Sequence, residues 1–244
     1  MRAAILDRES RRDYRKNNLI SSEINQIKEL IDKANEASGL NFEFLEDGSE
    51  AFKGPKAAIF SNVKSMILCK GDPSIDNFEE KIGYYGEDMV LDITDMKLGT
   101  CWVAGTYYPE RIEVPAGEKL VGVITVGKVD KPSIKEKAIR KALHKNDKLL
   151  QERINTNCDM IDWAYIGGNA VIIAPNAANR QRVQMNFIDS DIYLSVPGDA
   201  QYDMVDLGIA KRHFEIASGG KFPFGNNAML DHSNTREIYR VTDW

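Results

Sequence analysis

Apolar positions recur along this chain at two spacings, every three to four residues and every second residue, and their succession predicts its elements. Residues 3–6 are apolar and run into a polar stretch over 7–18. Ser21, Ser22 and Glu23 read as a helix start. Ile24, Ile27, Leu30, Ile31, Ala34 and Ala37 follow at helical spacing, and Gly39 supplies the stop. Residues 40–45 alternate as a strand does, and 57–60 and 65–69 are two short strand candidates. From 76 to 97 the apolar positions Phe78, Ile82, Tyr85, Met89, Ile93 and Met96 predict the longest helix, closed by Leu98 and Gly99. Residues 101–104 and 120–126 are β-prone, the second long enough for a central strand.

Residues 128–147 are charged and contain Pro132, which predicts a boundary followed by a solvated helix. A second compact stretch then begins. Residues 159–163 lead an apolar helix that ends near Ala174 and Pro175, 183–187 and 192–196 read as strands, and 202–218 as a helix stopped by Gly219 and Gly220. The last two dozen residues, rich in Gly, Asn and Asp, are expected to be irregular. Helix, strands and a long helix closing on glycine occur in that order twice, which points to a diverged duplication.

Composition narrows the function classes. The 244 residues, 43% of them apolar, suffice for one large domain or two small halves sharing a core. Acidic side chains outnumber basic ones 37 to 32, a formal charge of −5, so electrostatics offer no case for nucleic acid or an anionic membrane. No apolar run approaches the roughly 18 residues of a membrane span. Charges arrive too soon after Met1 for a secretory signal, and a cytoplasmic, reducing setting is expected. Cys69, Cys101 and Cys158 lack CxxC spacing, so neither a disulfide framework nor a zinc finger is implied. His144, His213 and His232 lie far apart, and no metal site is expected.

Three segments carry candidate chemistry. In residues 8–14, Arg8 and Arg12 flank Ser10, which would put cations and a hydroxyl on one side of a helix end. Such a set can grip a phosphate, although a solvated charge run paired with Asp7, Glu9 and Asp13 is the commoner reading of such a pattern. In residues 174–181 an apolar helix breaks at Pro175, and Asn176, Ala177, Asn179 and Gln181 follow. Small residues let a flat ligand approach and amides can read its edge, but an ordinary loop also favours Pro and Asn. In residues 98–106 a helix ends on Gly99 and turns into Cys101 and Trp102, then Ala104 and Gly105. A cap and a buried strand explain this locally, and Cys101 reads as a buried apolar thiol.

Taken together, the three resemble the FMN-dependent nitroreductase family. Arg8, Ser10, Arg12 and Tyr14 are similar to its opening signature Arg-x-Ser-x-Arg/Lys-x-Phe/Tyr. Residues 174–181 resemble its Ala-Pro-Ser-x-x-Asn-x-Gln loop, and residues 83–103 its long helix ending Leu-Gly-x-Cys-Trp. The resemblance covers most of 3–127 and about 159–219. In ordinary members the Pro-Ser loop follows the arginine motif by about 25 residues. Here that place holds Ala37, Ser38, Gly39, Leu40 and Asn41, and the intact loop comes about 165 residues after the motif. This resembles a subgroup in which two nitroreductase-like halves, 1–130 and 131–244, are fused into one chain that is its own pseudo-dimer and acts as a monomer. Residues 137–141 supply no second arginine motif, so one FMN per chain is expected.

The resemblance implies an α+β fold of antiparallel-rich sheets flanked by helices, and a flavin oxidoreductase passing a hydride from NAD(P)H to a nitro compound, quinone or similar acceptor. It implies that Arg8 and Ser10 hold the FMN phosphate and ribityl end, that Arg12 lies near the pyrimidine edge, and that Ala104 and Gly105 leave the reactive face open. Asn176, Asn179 and Gln181 would reach the ring from the second half, with Pro175 and Ala177 packing on it. No catalytic acid among the side chains is required. Three other readings stand beside it: a narrow-substrate FMN dehydrogenase or flavin-modifying enzyme on the same fold, a flavin- or nucleotide-binding protein without catalysis, and a plain α+β interaction domain whose motifs are accidental. Tyr84, Tyr85, Trp102 and His213 are more simply read as helix-packing residues.

Overall fold

In the computed structural model, which describes residues 2–233, the helices form where the apolar stripe is longest. They are α1 (Ala3–Asp7), α2 (Ser21–Ser38), α3 (Phe78–Asp95), α4 (Ile134–Leu143), α5 (Asp162–Ile172) and α6 (Asp203–Ser218). α2 buries Ile27, Ile31 and Ala34 and ends on Gly39, whose φ of 74° lets its N–H donate back to the Asn35 carbonyl. The strands among the described residues are β1 (Glu43–Leu45), β2 (Ser65–Gly71), β3 (Gly99–Val103), β4 (Lys119–Gly127), β5 (Ile154–Thr156), β6 (Gln184–Ile188), β7 (Asp191–Ser195) and β8 (Ala228–Met229).

The strands make two four-stranded sheets in the orders β1-β2-β4-β3 and β5-β6-β7-β8. Every pairing is antiparallel except β5 with β6. The fold is α+β, as the family resemblance implies. The chain divides into two compact units: Asp7–Phe78 with Tyr85–Lys145, and Met1–Leu6 with Glu79–Tyr84 and Asn146–Trp244.

In the first unit β2 is buried along its whole length and β4 over most of its own, so both carry continuous apolar runs. Tyr14, Phe60, Met66, Leu68, Cys101, Val103 and Val123 form the core there. In the second unit Trp163 meets Phe187 and Phe214 edge-on at 6.3 Å each, and Phe214 meets Phe222 at 5.5 Å. Truncating such a buried ring to alanine costs about 3–5 kcal/mol, so this aromatic cluster is the anchor of the unit.

Several expectations are corrected. Residues 57–60 are not a strand: Gly54, at φ 134°, and Pro55 start a short 3₁₀ turn over Pro55–Ala57, which buries Ala57 and Phe60 by folding back locally. The strand predicted over 40–45 begins only at Glu43. β5 and β8 were not anticipated; three and two residues are too few to display a period. The irregular tail expected at the C-terminus contains β8, and its residues 234–244 lie outside the described residues.

Candidate functional site

The arginine segment leaves α1 at Asp7 and continues as an extended ribbon, not a helix end. β3 is an edge strand, and the ribbon pairs with it in parallel: Ser10 bridges Thr100, and the Arg11 N–H donates to the Thr100 carbonyl at 2.7 Å. Asp13 bridges Ser61 in the same way. Tyr14 pins the far end, its hydroxyl donating to the Arg11 carbonyl at 2.8 Å and lying 2.6 Å from the Thr125 hydroxyl. In extended backbone alternate residues share a side, so Arg8, Ser10 and Arg12 come together by a period of two. An Arg8 Nη1 donates to the Ser10 hydroxyl at 3.5 Å, and an Arg12 Nη1 to the Ser10 carbonyl at 3.3 Å. Arg11 faces the other way, into Glu136.

This ribbon holds guanidinium donors that its partners leave unsatisfied. The Nε atoms of both Arg8 and Arg12 are buried and have no hydrogen-bond partner. The Arg8 Nε lies 3.9 Å from the fully buried Glu87 carboxylate, and a Glu87 oxygen also accepts from the Trp102 indole N–H at 2.7 Å. Burial lowers the Arg8 guanidinium below its ordinary value, with Glu87 opposing. Leaving such donors without an acceptor is costly, and an anion with several oxygens would answer them. Cys101 lies within the field of the same arginines. Burial raises its thiol, while Arg12, Arg8 and a hydrogen bond with Ser10 oppose the rise. Ala104 and Gly105 follow directly on β3, Ala104 half-buried and Gly105 exposed with open space where a Cβ would stand.

The Pro175 loop belongs to the other unit and is held by its own network. Its turn takes Ala178, Asn179 and Gln181 into the left-handed region, at φ 52°, 53° and 53°. The Asn176 Oδ1 accepts the Gln181 N–H at 2.8 Å, and the Asn179 amide donates to Asp147 at 2.6 Å. Gln181 is buried: its Oε1 accepts the Lys148 N–H at 2.7 Å and its Nε2 donates to the Asn146 carbonyl at 3.3 Å. That amide therefore fixes the loop to residues 146–148. The Ala177 N–H donates to the buried Asp206 carboxylate, at 2.9 and 3.1 Å to its two oxygens. Burial pushes Asp206 up to about 7 against that bond. Pro175 is half-buried at the start of the turn.

Glu87, Glu136, Asp206 and Arg153 were not singled out from the sequence. Arg153 is buried, donating through Nε and Nη2 to the Val183 carbonyl, with its Nη1 unpartnered. Only Glu136 had a legible signal, as the fourth residue of the capping box that begins at Ser133. Among the described residues no cluster of three or more potential metal ligands occurs, and no helix is long and apolar enough to cross a membrane.

An α+β chain with an arginine-bearing ribbon along a sheet edge, two of whose buried donors lack a hydrogen-bond partner, is the class these observations define. Residues 1–218 match the sequence profile of the family described as "Putative TM nitroreductase", and the chain belongs to that nitroreductase family of oxidoreductases. Among solved structures, a Thermotoga maritima MSB8 protein described as a "putative nitroreductase" superposes with a TM-score of 0.62 at 18% identity, over 93% of this chain and 90% of its own. An FMN-dependent nitroreductase of Clostridium difficile R20291 gives a TM-score of 0.46 at 18% identity, over 55% of this chain and 90% of its own. A nitroreductase with bound FMN from Bacteroides fragilis NCTC 9343 gives 0.42 at 13% identity, over 54% and 89%. No curated protein matches the chain.

Proposed function

We propose that this chain is an FMN-dependent oxidoreductase that takes a hydride from NAD(P)H and delivers it to a nitro compound, a quinone or a similar acceptor. The observation that carries the reading is the pair of buried Nε donors on Arg8 and Arg12 that lack a hydrogen-bond acceptor, flanking Ser10 on one side of an extended ribbon. Membership of the nitroreductase family supports it. The residues present fit the group: a phosphate, or the polar edge of a flavin ring, supplies the acceptor oxygens that these donors lack.

Arg8 and Ser10 bind the phosphate and ribityl end, and Arg12 sets a positive charge at the pyrimidine edge. A fixed guanidinium there stabilises the negative charge that develops on reduction and costs no reorganisation at that moment. Ala104 and Gly105 leave room beside the ring. When bound, FMN supplies the redox chemistry; the protein binds and orients it. The halves 1–130 and 131–244 are each nitroreductase-like on this reading, and the chain is a monomer acting in the cytoplasm. In support, one sheet lies wholly within residues 43–127 and the other within 154–229.

The test is an absorbance spectrum of the protein with added FMN, before and after NADH or NADPH under anaerobic conditions. The flavin band should shift on binding and bleach on addition of the nucleotide. A protein that leaves the spectrum of free FMN unchanged overturns the reading. One that binds FMN but never bleaches is a flavin carrier.

A further inference from the structure

We propose that Glu136 is the positioning residue of the flavin site: its carboxylate locks the ribbon of residues 8–13 in the register that turns Arg8, Ser10 and Arg12 to one side. The inference rests on the flavin reading above and deepens it. Glu136 stands in the first turn of α4 and is buried. Its Oε1 accepts from the Arg12 N–H at 2.8 Å, the Arg11 Nε at 3.1 Å and the Asp13 N–H at 3.2 Å. Its Oε2 accepts from the Ser133 N–H at 3.0 Å and the Arg11 Nη2 at 3.2 Å. The Ser133 hydroxyl accepts the Glu136 N–H in return, at 3.3 Å, so the helix start holds the carboxylate still.

Five donors saturate the acceptor capacity of one carboxylate, and four of them belong to residues 11–13. The side-chain period of extended backbone is two, so a slip of one residue would exchange Arg8, Ser10 and Arg12 for Glu9, Arg11 and Asp13. Two acidic residues would then face an anionic ligand. Glu136 opposes that slip directly, by holding the backbone N–H groups of residues 12 and 13 and drawing Arg11 to the opposite side. It also occupies the Arg11 guanidinium, so the ribbon donors left without an acceptor are those of positions 8 and 12. No contact between Glu136 and ligand is needed, because it acts through the ribbon.

The test compares FMN with riboflavin, which lacks the phosphate, by fluorescence titration of the full chain. Glu136→Gln turns an amide N–H toward groups that are themselves donors. It should weaken FMN binding about tenfold or more and riboflavin binding by a smaller factor, because riboflavin keeps the ring edge assigned to Arg12 but lacks the phosphate assigned to Arg8 and Ser10. The control Asp130→Asn removes an exposed partner of Arg15 on the same ribbon and should leave both affinities within about twofold. Equal losses for the two ligands, or none, overturn the role given to Glu136. Amide hydrogen exchange on the unsubstituted chain reads the same claim should the variant not fold. The Arg12 and Asp13 amides must be protected, and free exchange there overturns it. If the unsubstituted chain binds no FMN, the flavin reading itself falls, a result distinct from FMN binding that survives Glu136→Gln.

Discussion

A Cβ placed on Gly208 would lie 2.0 Å from the carbonyl oxygen of Glu80, and one on Gly83 would lie 2.0 Å from that of Val205. The first turns of α3 and the middle of α6 therefore meet backbone against backbone, with no side chain between them. Beside the crossing, the Lys211 ammonium is buried against the Glu80 carboxylate and donates to the carbonyls of Pro223 and Gly225, at 2.8 Å each. Gly208→Ala should cost about 3 kcal/mol or more, since backbone cannot yield as a flexible side chain does. Urea unfolding measures it, and an unchanged midpoint would show that the helices do not touch this closely.

The left-handed turn at Ala178 makes an opposite prediction. A residue with a Cβ at φ 52° is strained by about 1–2 kcal/mol, a cost that glycine largely avoids. Glycine also gains freedom when unfolded, so Ala178→Gly should stabilise the protein by a smaller amount, about 0.5 kcal/mol. Thermal unfolding decides the point, and a lower Tm in the variant would contradict it.

Asp206 gives the stability a pH dependence of defined sign. Its carboxyl is pushed from 3.8 to about 7, so between those values the folded protein holds a proton that the unfolded chain has released. Stability from this group is therefore full near pH 4 and declines as pH rises toward 7. Asp206→Asn removes the titration and keeps an oxygen for the Ala177 N–H. The variant should gain on the parent between about pH 5 and pH 8 in paired urea titrations. A stability difference identical at both pH values would sink the assignment.

For Arg12 the ligand-free and ligand-bound states should respond differently. Its Nε has no partner and its Nη1 meets only the Ser10 carbonyl, so Arg12→Met should leave the stability of the ligand-free chain within about 1 kcal/mol. FMN affinity should fall about tenfold or more, because a charge-assisted bond is lost. Calorimetry with FMN reads both this loss and the stoichiometry, which should be one flavin per chain. A stoichiometry near two would contradict the single arginine motif.

The long periodic segments were the legible part of the fold. α2, α3 and α6 lie within a residue or two of the stretches marked by their apolar stripes and closing glycines, because each stripe runs long enough to fix a period. Short pieces were not, and Ala57 and Phe60 show why: an apolar cluster after Gly54 and Pro55 can bury itself by turning, without pairing. At the candidate site the residue types were readable but their geometry was not. Arg8 and Arg12 share a side through an extended backbone, and that backbone is extended because of partners 90 or more positions away, Thr100 in β3 and Glu136 in α4. No local pattern announces such partners. Glu136 was visible only as a cap of its own helix.

The Glu136 clamp separates the shape of the ribbon from the chemistry it displays. Residues 12 and 13 are held through their backbone N–H groups, which every amino acid but proline carries. The side chain at 12 can therefore drift, from arginine to lysine or to a neutral residue, while the scaffold beneath it stays put. A lineage inheriting this clamp can retune the electrical character of its pocket by single substitutions, without first redesigning the architecture that presents it.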